Sequence, residues 1–383
     1  MTYLVVGIRK EFKDSGINFI KAESITAAGK FKLDYFAFID GETHRTLGRS
    51  QFEENDILFS IAGVLGRVAI VSQNILPANT NQAIAIVRLS KRSKLDVEYL
   101  KYYLNSENVN NQVKRINVQA AQANFSLGDV GRLEIMCPPL LLQQKIARIL
   151  STCDAVLEKT EAAIAKYQAI KQGMMQDLFN PSKVDYWRTV ALEDLADIID
   201  PHPSHRAPEE YAQGIPFVGI GDISEFGEIK KGARKVPDKI FDEHRKRYKL
   251  DHNTIGFGRV ATIGKIVRFR NYDEKVTISP TMAIMIPKNI SSDYLAHSLS
   301  SFPVQEQIDK LLTGSTRSSL GIELLRKLLI PIPINNREKQ KVEDSLNNID
   351  NTIKSEQSTL SKYKKIKSGL MQDLLSGKVE VVV

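Results

Sequence analysis

The chain has 383 residues, 42% of them hydrophobic, and carries 53 Lys and Arg against 45 Asp and Glu, a formal charge of +8. That length calls for two to three domains, and its two cysteines, Cys137 and Cys153, exclude a disulfide framework and point to a reducing cytoplasm. No apolar run approaches the roughly 18 residues of a membrane span, and the opening MTYLVVGIRKEFK lacks the apolar stretch of a signal peptide, so neither membrane nor export is expected.

In chain order, short β-branched runs alternate with Gly, Pro, Asn and Asp, and helices follow. The runs GINFIKAESI (16–25), DILFSIAGVLGRVAI (56–70) and AIAIV (83–87) read as strands and turns. DVEYLKYYLNS (96–106) reads as a helix capped by Asp. FSLGDVGRLEIMCPPL (125–140) ends in Pro138-Pro139, a rigid break before the next element. That element, 143–179, has no Pro and a single Gly, Gly173. Ile146, Leu150, Cys153, Leu157, Ile164, Tyr167, Met174 and Leu178 fall in register with 4-3 spacing. The spacing predicts a coiled-coil helix of about 55 Å. Cys153, on its seam, reads as a small core residue rather than a working thiol.

The same series then returns. A long lead-in (186–214) is followed by GIPFVGIGDI (214–223) and TIGFGRVATIGKIVR (254–268), both at an offset of 198, so Gly66-Arg67 is matched by Gly264-Lys265. MAIMI (282–286), SDYLAHSLSS (292–301) and SSLGIELLRKLLIPIPI (318–334) follow in the same order. A second heptad seam comes last: Val342, Leu346, Ile349, Ile353, Leu360, Tyr363, Leu370 and Leu374. KYQAIKQGMMQDL (166–178) becomes KYKKIKSGLMQDL (362–374), identical at nine of thirteen positions. Polar seam residues recur too, Thr160 with Glu356 and Lys171 with Lys367; such residues cost stability but fix register. The sequence therefore reads domain, helix, domain, helix, with the two helices forming one antiparallel pair. Each domain reads as α+β with a curled, mostly antiparallel sheet. The tail GKVEVVV (377–383) resembles the start of the second lead-in, so it is expected to complete the first domain, with Val383 near Met1.

The positive charge is uneven. Residues 230–270 hold thirteen Lys and Arg against four Asp and Glu. Nucleic acid or another anionic partner suits that excess, and so does a solvated basic face. The motifs of chemistry are missing. Cys137-Pro138-Pro139-Leu140 has neither flank of an amino-methyltransferase motif. The stretch 258–266 has five residues between its glycines and Ile after Lys265, where a phosphate loop has four and Ser or Thr. His202 and His205 flank Pro203 without a Cys pair, a poor metal site. No catalytic constellation recurs in both halves.

The order, duplication and spacing of these motifs resemble the specificity subunit of type I restriction–modification enzymes. The resemblance rests on the Pro-ended segments 136–140 and 330–334, the heptad stretches, the endings GMMQDLF and GLMQDLL, and the run IPFVGIGDI with the Gly264-Lys265 hairpin. It covers essentially the whole chain. It implies target-recognition domains at 1–139 and 181–333, and conserved spacer helices at 140–180 and 334–383, the latter including the tail. It implies a non-catalytic DNA-reading subunit, each domain reading one half of a split target and the helices setting the spacer. It further implies two copies of a methyltransferase subunit on the helices, carrying S-adenosylmethionine for adenine-N6 methylation. Nuclease–translocase subunits using ATP and Mg would join them.

Arg can bridge guanine, and Asn or Gln can pair with adenine. The candidate contacts to double-stranded DNA in the first half are Lys30, Arg45, Arg49, Arg67, Gln119, Gln122 and Asn124. In the second half they are His205, Arg206, Arg234, Lys235, Arg259, Lys265, Ser315, Thr316 and Arg317. Replacing Arg259 is expected to weaken most the half-site read by the second domain. Two other classes stay open at this point. One is a piece of a fused restriction–methyltransferase enzyme. The other is a coiled-coil scaffold for acidic proteins.

Overall fold

The structure, a computed structural model, describes residues 12–119, 125–180, 187–202, 208–224, 227–230, 232–269, 275–313 and 319–379. It divides into two compact units, Met1–Thr160 with Leu360–Val383, and Glu161–Thr359. The expected approach of Val383 to Met1 lies outside the described residues.

The first unit begins with strands β1 (Ile17–Ile20) and β2 (Ala37–Ile39) and the short helix α1 (Gly41–Thr46). Strands β3 (Ile57–Ser60), β4 (Val68–Ile70), β5 (Ala78–Thr80) and β6 (Ile84–Val87) follow. Helices α2 (Val97–Leu104), α3 (Glu107–Gln119) and α4 (Leu127–Val130) lead to the long α5 (Leu140–Leu178). The second unit has β7 (Trp187–Ala191), α6 (Leu192–Leu195), β8 (Ala196–Ile199), β9 (Ile215–Val218) and β10 (Lys235–Val236). Next come α7 (Asp238–Arg245), β11 (Ile255–Gly258), β12 (Ile266–Arg268), β13 (Thr277–Ile278) and β14 (Met282–Pro287). Helices α8 (Ser292–Leu299), α9 (Phe302–Thr313) and α10 (Ile322–Arg326), strand β15 (Leu329–Pro333) and the long α11 (Asn336–Leu375) complete it.

The strands are wired alike in the two units. β1 pairs antiparallel with β2 and parallel with β5; β9 does the same with β10 and β13. β3 lies antiparallel between β4 and β6, and β11 between β12 and β14. The class is α+β, as the alternating runs imply; each unit has small separate open sheets in place of the single curled sheet expected, and the ladders are antiparallel apart from one parallel pair in each unit. β14 gains β8, and β15 gains β7. Neither β7 nor β8 has a counterpart among the described residues of the first unit.

Both expected mid-chain helices form where the caps direct. Asp96 accepts from the Tyr99 N–H to start α2, and Ser291 accepts from Asp293 and Tyr294 to start α8. Each then grips the segment that feeds a long helix. The buried Tyr99 hydroxyl donates to the Met136 carbonyl at 3.0 Å, and Tyr294 donates to Pro331 at 2.9 Å. Gln112 and Gln307 repeat the grip with paired backbone bonds to Glu134 and Leu329.

The long helices contribute to both cores. In the first unit Ile146 and Leu150 share a cluster with Leu374 and Leu375, with Leu370 and Met371 packed against it. Asp154 there meets Lys367 at 2.5 Å. Going forward on α5 is going back on α11, so the segments run antiparallel. In the second unit Met174, Leu178 and Phe179 join Val342, Leu346 and Ile349, and Lys171 meets Asp350 at 2.6 Å. The polar seam positions Lys171 and Lys367 are thus satisfied by Asp350 and Asp154. Tyr363 departs from the expected seam and is 37% exposed. It lies one turn from the Lys367–Asp154 pair. Ile146, Leu150, Ile164, Val342, Leu346, Ile353 and Leu374 are buried; Cys153, Leu157, Tyr167, Met174, Leu178, Ile349, Leu360 and Leu370 are half-buried.

Leu150 and Leu346 occupy matched positions and are fully buried, at 0% exposure. Leu150→Ala and Leu346→Ala should each cost about 3 kcal/mol, from lost transfer energy and a residual cavity. The one tryptophan, Trp187, stacks edge-on against Phe179 at 5.7 Å in the second unit. Its fluorescence melt should therefore shift down in Leu346→Ala and hold in Leu150→Ala, with circular dichroism reporting the loss in both.

Candidate nucleic-acid interface

The hairpin turns at matched positions are built on Gly66 and Gly264, both at a φ of +82°, a conformation that favours glycine. The basic residue after each glycine turns inward. Arg67 donates to the carbonyl of Ile25 and, at 3.5 Å, to that of Ala22. Lys265 donates to Ile220 at 2.9 Å and Ile223 at 3.0 Å. In each unit one cation thus satisfies backbone carbonyls of the turn after the first inner strand.

Arg259 is also held by the fold. Its Nε donates to the Leu320 carbonyl at 3.1 Å, its Nη1 pairs with Asp200 at 3.0 Å, and its side chain is 13% exposed. Its replacement is a change to the fold before it is a change to any DNA contact. Arg234 donates to the Pro208 carbonyl and buries its Nε. In this structure these four candidates are engaged within the fold, by peptide oxygens and, for Arg259, also by the Asp200 carboxylate.

Four of the remaining described candidates stay at the surface. Arg45 and Arg49 are exposed on either side of the turn after α1, and neither is in an ion pair among the described residues. Lys235 is exposed on β10. Lys30 is exposed and bridges Glu158 at 2.7 Å, a pair that contributes little in water. Gln119 ends α3. Gln122, Asn124, His205, Arg206, Ser315, Thr316 and Arg317 lie outside the described residues.

The candidate residues above omit a compact basic knuckle at the end of α7. Arg245, Lys246, Arg247 and Lys249 are all exposed there. Its sequence signal is the run RKRYK (245–249), part of the basic excess at 230–270. Its anchors are buried: His244 is bonded through Nδ1 to the Thr277 hydroxyl, and the Tyr248 hydroxyl accepts from the Ile278 N–H at 2.8 Å. His244 also packs edge-on against His202 at 4.8 Å. Among the described residues no three His, Cys, Asp or Glu converge as a metal site.

Two histidines of the second unit are held uncharged. Burial first, then His202 and Arg247, push His244 down to about 4 against the opposing charge of Glu243. Burial first, then Arg268 and Lys171, push His297 down to about 4, against opposing contributions from Asn347 and Asp350. The unfolded chain takes up these protons near pH 6.5 and the folded chain near pH 4. Stability is therefore intact above pH 6.5 and declines as pH falls toward 4. By pH 5 each residue should have cost about 2 kcal/mol. The Trp187 melt should fall accordingly between pH 7.5 and 5, and His244→Gln with His297→Gln should flatten that dependence.

Family comparison decides what this architecture belongs to. A model of the type I restriction modification DNA specificity domain matches residues 8–167 and, a second time, 185–364. The chain belongs to that family. Type I specificity proteins are also its curated relatives. It is 24% identical over 357 residues to the type I restriction enzyme MjaVIII specificity subunit of Methanocaldococcus jannaschii, covering 86% of this chain and 80% of the relative. The putative MjaX specificity subunit of the same organism is 23% identical, over 97% of this chain and 89% of the relative. The fold matches the crystal structure of a type I restriction–modification S subunit from M. genitalium, with a TM-score of 0.57 and 16% identity over 97% of this chain and 94% of that one. A second solved chain, from work on type I complex assembly and conformational transition, matches with a TM-score of 0.54 and 16% identity over 94% and 91%. As a type I specificity protein, the chain serves DNA sequence recognition; the family is non-catalytic. Among the described residues no helix is long and apolar enough to cross a membrane.

Proposed function

We propose that this type I specificity protein reads a split DNA target. The domain within 1–139 reads one half and the domain within 181–333 the other. The strand wiring that the two units share, with each half matched by the family model, carries this reading. Two similar readers on one chain suit a two-part target and two copies of one partner. The helices at 140–180 and 334–383 set the unread spacer and dock two methyltransferase subunits. S-adenosylmethionine and adenine-N6 chemistry belong to those subunits; ATP and Mg belong to nuclease–translocase subunits that join them in the cytoplasm. Phosphate contacts fall to the exposed cations Arg45, Arg49, Lys235 and the knuckle Arg245, Lys246, Arg247 and Lys249.

A base-resolution map of adenine methylation in the source cells, with and without this chain, tests the reading. A split motif that disappears on deletion supports it, and methylation unchanged on deletion sinks it. The knuckle has its own test. Replacing Arg245, Lys246 and Arg247 by Ala should weaken DNA binding about tenfold or more and lower the salt slope by about 3. A slope equal to that of the unaltered protein would remove the knuckle from the interface.

A further inference from the structure

Five titratable side chains converge in the second unit where β12 and α8 meet the long helices. Arg268, at the end of β12, sends Nη2 to Asp350 on α11 at 2.5 Å. Its Nη1 reaches Asp293 in the first turn of α8 at 3.2 Å and Asn347 on α11 at 3.3 Å. The second oxygen of Asp350 takes Lys171 of α5 at 2.6 Å. Asn347 closes the ring, donating to Asp293 at 2.9 Å and meeting His297 at 3.1 Å. The side chains of Arg268 and Asp350 are 11% and 4% exposed. A polar cavity of about 80 Å³ beside them, lined by Lys171, Ile266, Arg268, His297, Ser300 and Asp350, has room for water.

One guanidinium thus joins a strand of the hairpin, a helix of the same domain and a long helix, and Asp350 relays the connection to the other long helix. The first unit does this differently. Ile70 holds the matching strand position and Tyr102 that of His297. Asp154 takes Lys367 at 2.5 Å and the Tyr102 hydroxyl at 2.7 Å. The strand there contributes an apolar side chain. A planar fork of charge-assisted bonds fixes direction as well as distance, whereas a single phenol bond fixes distance alone.

We propose that Arg268 is a positioning residue for sequence reading: it holds the second domain's hairpin in one attitude on the spacer helices, and so sets how strictly the second half-site must be spaced from the first. The proposal rests on the two-part target proposed above. The hairpin follows because β12 is bonded along its length to β11, and β11 to β14. Loosening Arg268 therefore frees the direction of the domain without altering the surface that meets DNA.

The test uses the full chain with its co-purifying partners and duplexes carrying both mapped half-sites. Spacing is set at the mapped length, one base pair longer and one shorter. The unaltered protein is expected to prefer the mapped spacing. Arg268→Met should cut that preference about tenfold, a change of about 1.4 kcal/mol, while affinity for a duplex carrying the second half-site alone holds within about twofold. A merely structural role would lower both together. Arg268→Lys keeps the charge without the fork and covers the case in which the Met variant does not fold; it should relax the preference in part. Retention of the full preference by folded variants overturns the proposal and leaves the two-part reading standing. An unaltered protein indifferent to spacing overturns both.

Discussion

Truncating the chain after Thr359 is expected to unfold the unit that begins more than three hundred residues earlier. Leu374 and Leu375 are 7% and 2% exposed, and with Leu370 and Met371 they cover Ile146 and Leu150. Burying an aliphatic side chain contributes about 1.5–3 kcal/mol. Four of them amount to about 6 kcal/mol or more, comparable to the whole stability of a domain. The Lys367–Asp154 pair leaves with them. Limited proteolysis should then cut within 12–160 while 161–359 resists, and the Trp187 melt should hardly move. Adding a peptide of residues 360–383 should restore protection. A truncated chain that keeps its first unit intact would show that these contacts contribute little.

The second large effect is expected at Asp350. Its carboxylate is buried, and burial alone would raise its pKa. Hydrogen bonding and charge from Lys171, then the charge of Arg268, outweigh that and hold it below the usual carboxylate range. Asp350→Ala leaves Arg268 with Asp293 and takes away the ion-pair partner of Lys171, so two poorly compensated cations remain, at 11% and 30% side-chain exposure. The expected cost is about 3–5 kcal/mol. Asp154→Ala should cost less, about 1 kcal/mol, because its pair with Lys367 is exposed at 32% and 24% and water can replace the partner. Urea midpoints should fall steeply for Asp350→Ala, read by Trp187, and only slightly for Asp154→Ala, read by circular dichroism because Trp187 lies in the other unit. The reverse order would mean that burial does not decide the worth of these pairs.

The duplication, the long helices and their caps were legible because they are local. Heptad spacing, an Asp or Ser before an apolar run and a Gly in a tight turn each act within a few residues. The parallel pairs β1–β5 and β9–β13 were not legible, since each joins strands separated by some sixty residues and no short-range pattern records the choice. The basic residues were half legible. Arg67 and Lys265 carry the charge that a phosphate would want, but the carbonyls that bind them belong to a turn more than forty residues away. A signal for this was present in the repeat. Two domains that read different bases should diverge where they touch them, so a cation shared at the same place in both halves argues for the scaffold. The RKRYK run at the end of α7 has no such twin in the first half. Divergence between the halves thus marks readers better than charge does.

The division of the long helices also orders how the protein is made. The second unit is continuous, Glu161–Thr359, whereas the first is split between the two ends of the chain. A ribosome releases Thr359 before it releases the turns that carry Leu370, Met371, Leu374 and Leu375. The half encoded first is therefore the half completed last. Until the end of α11 is made, Ile146 and Leu150 lack the cover of a segment more than two hundred residues behind them. Domains usually fold in the order they are synthesised; here the later one can finish first, and stop codons placed in the last helix would leave the earliest-made part of the molecule for proteases to find.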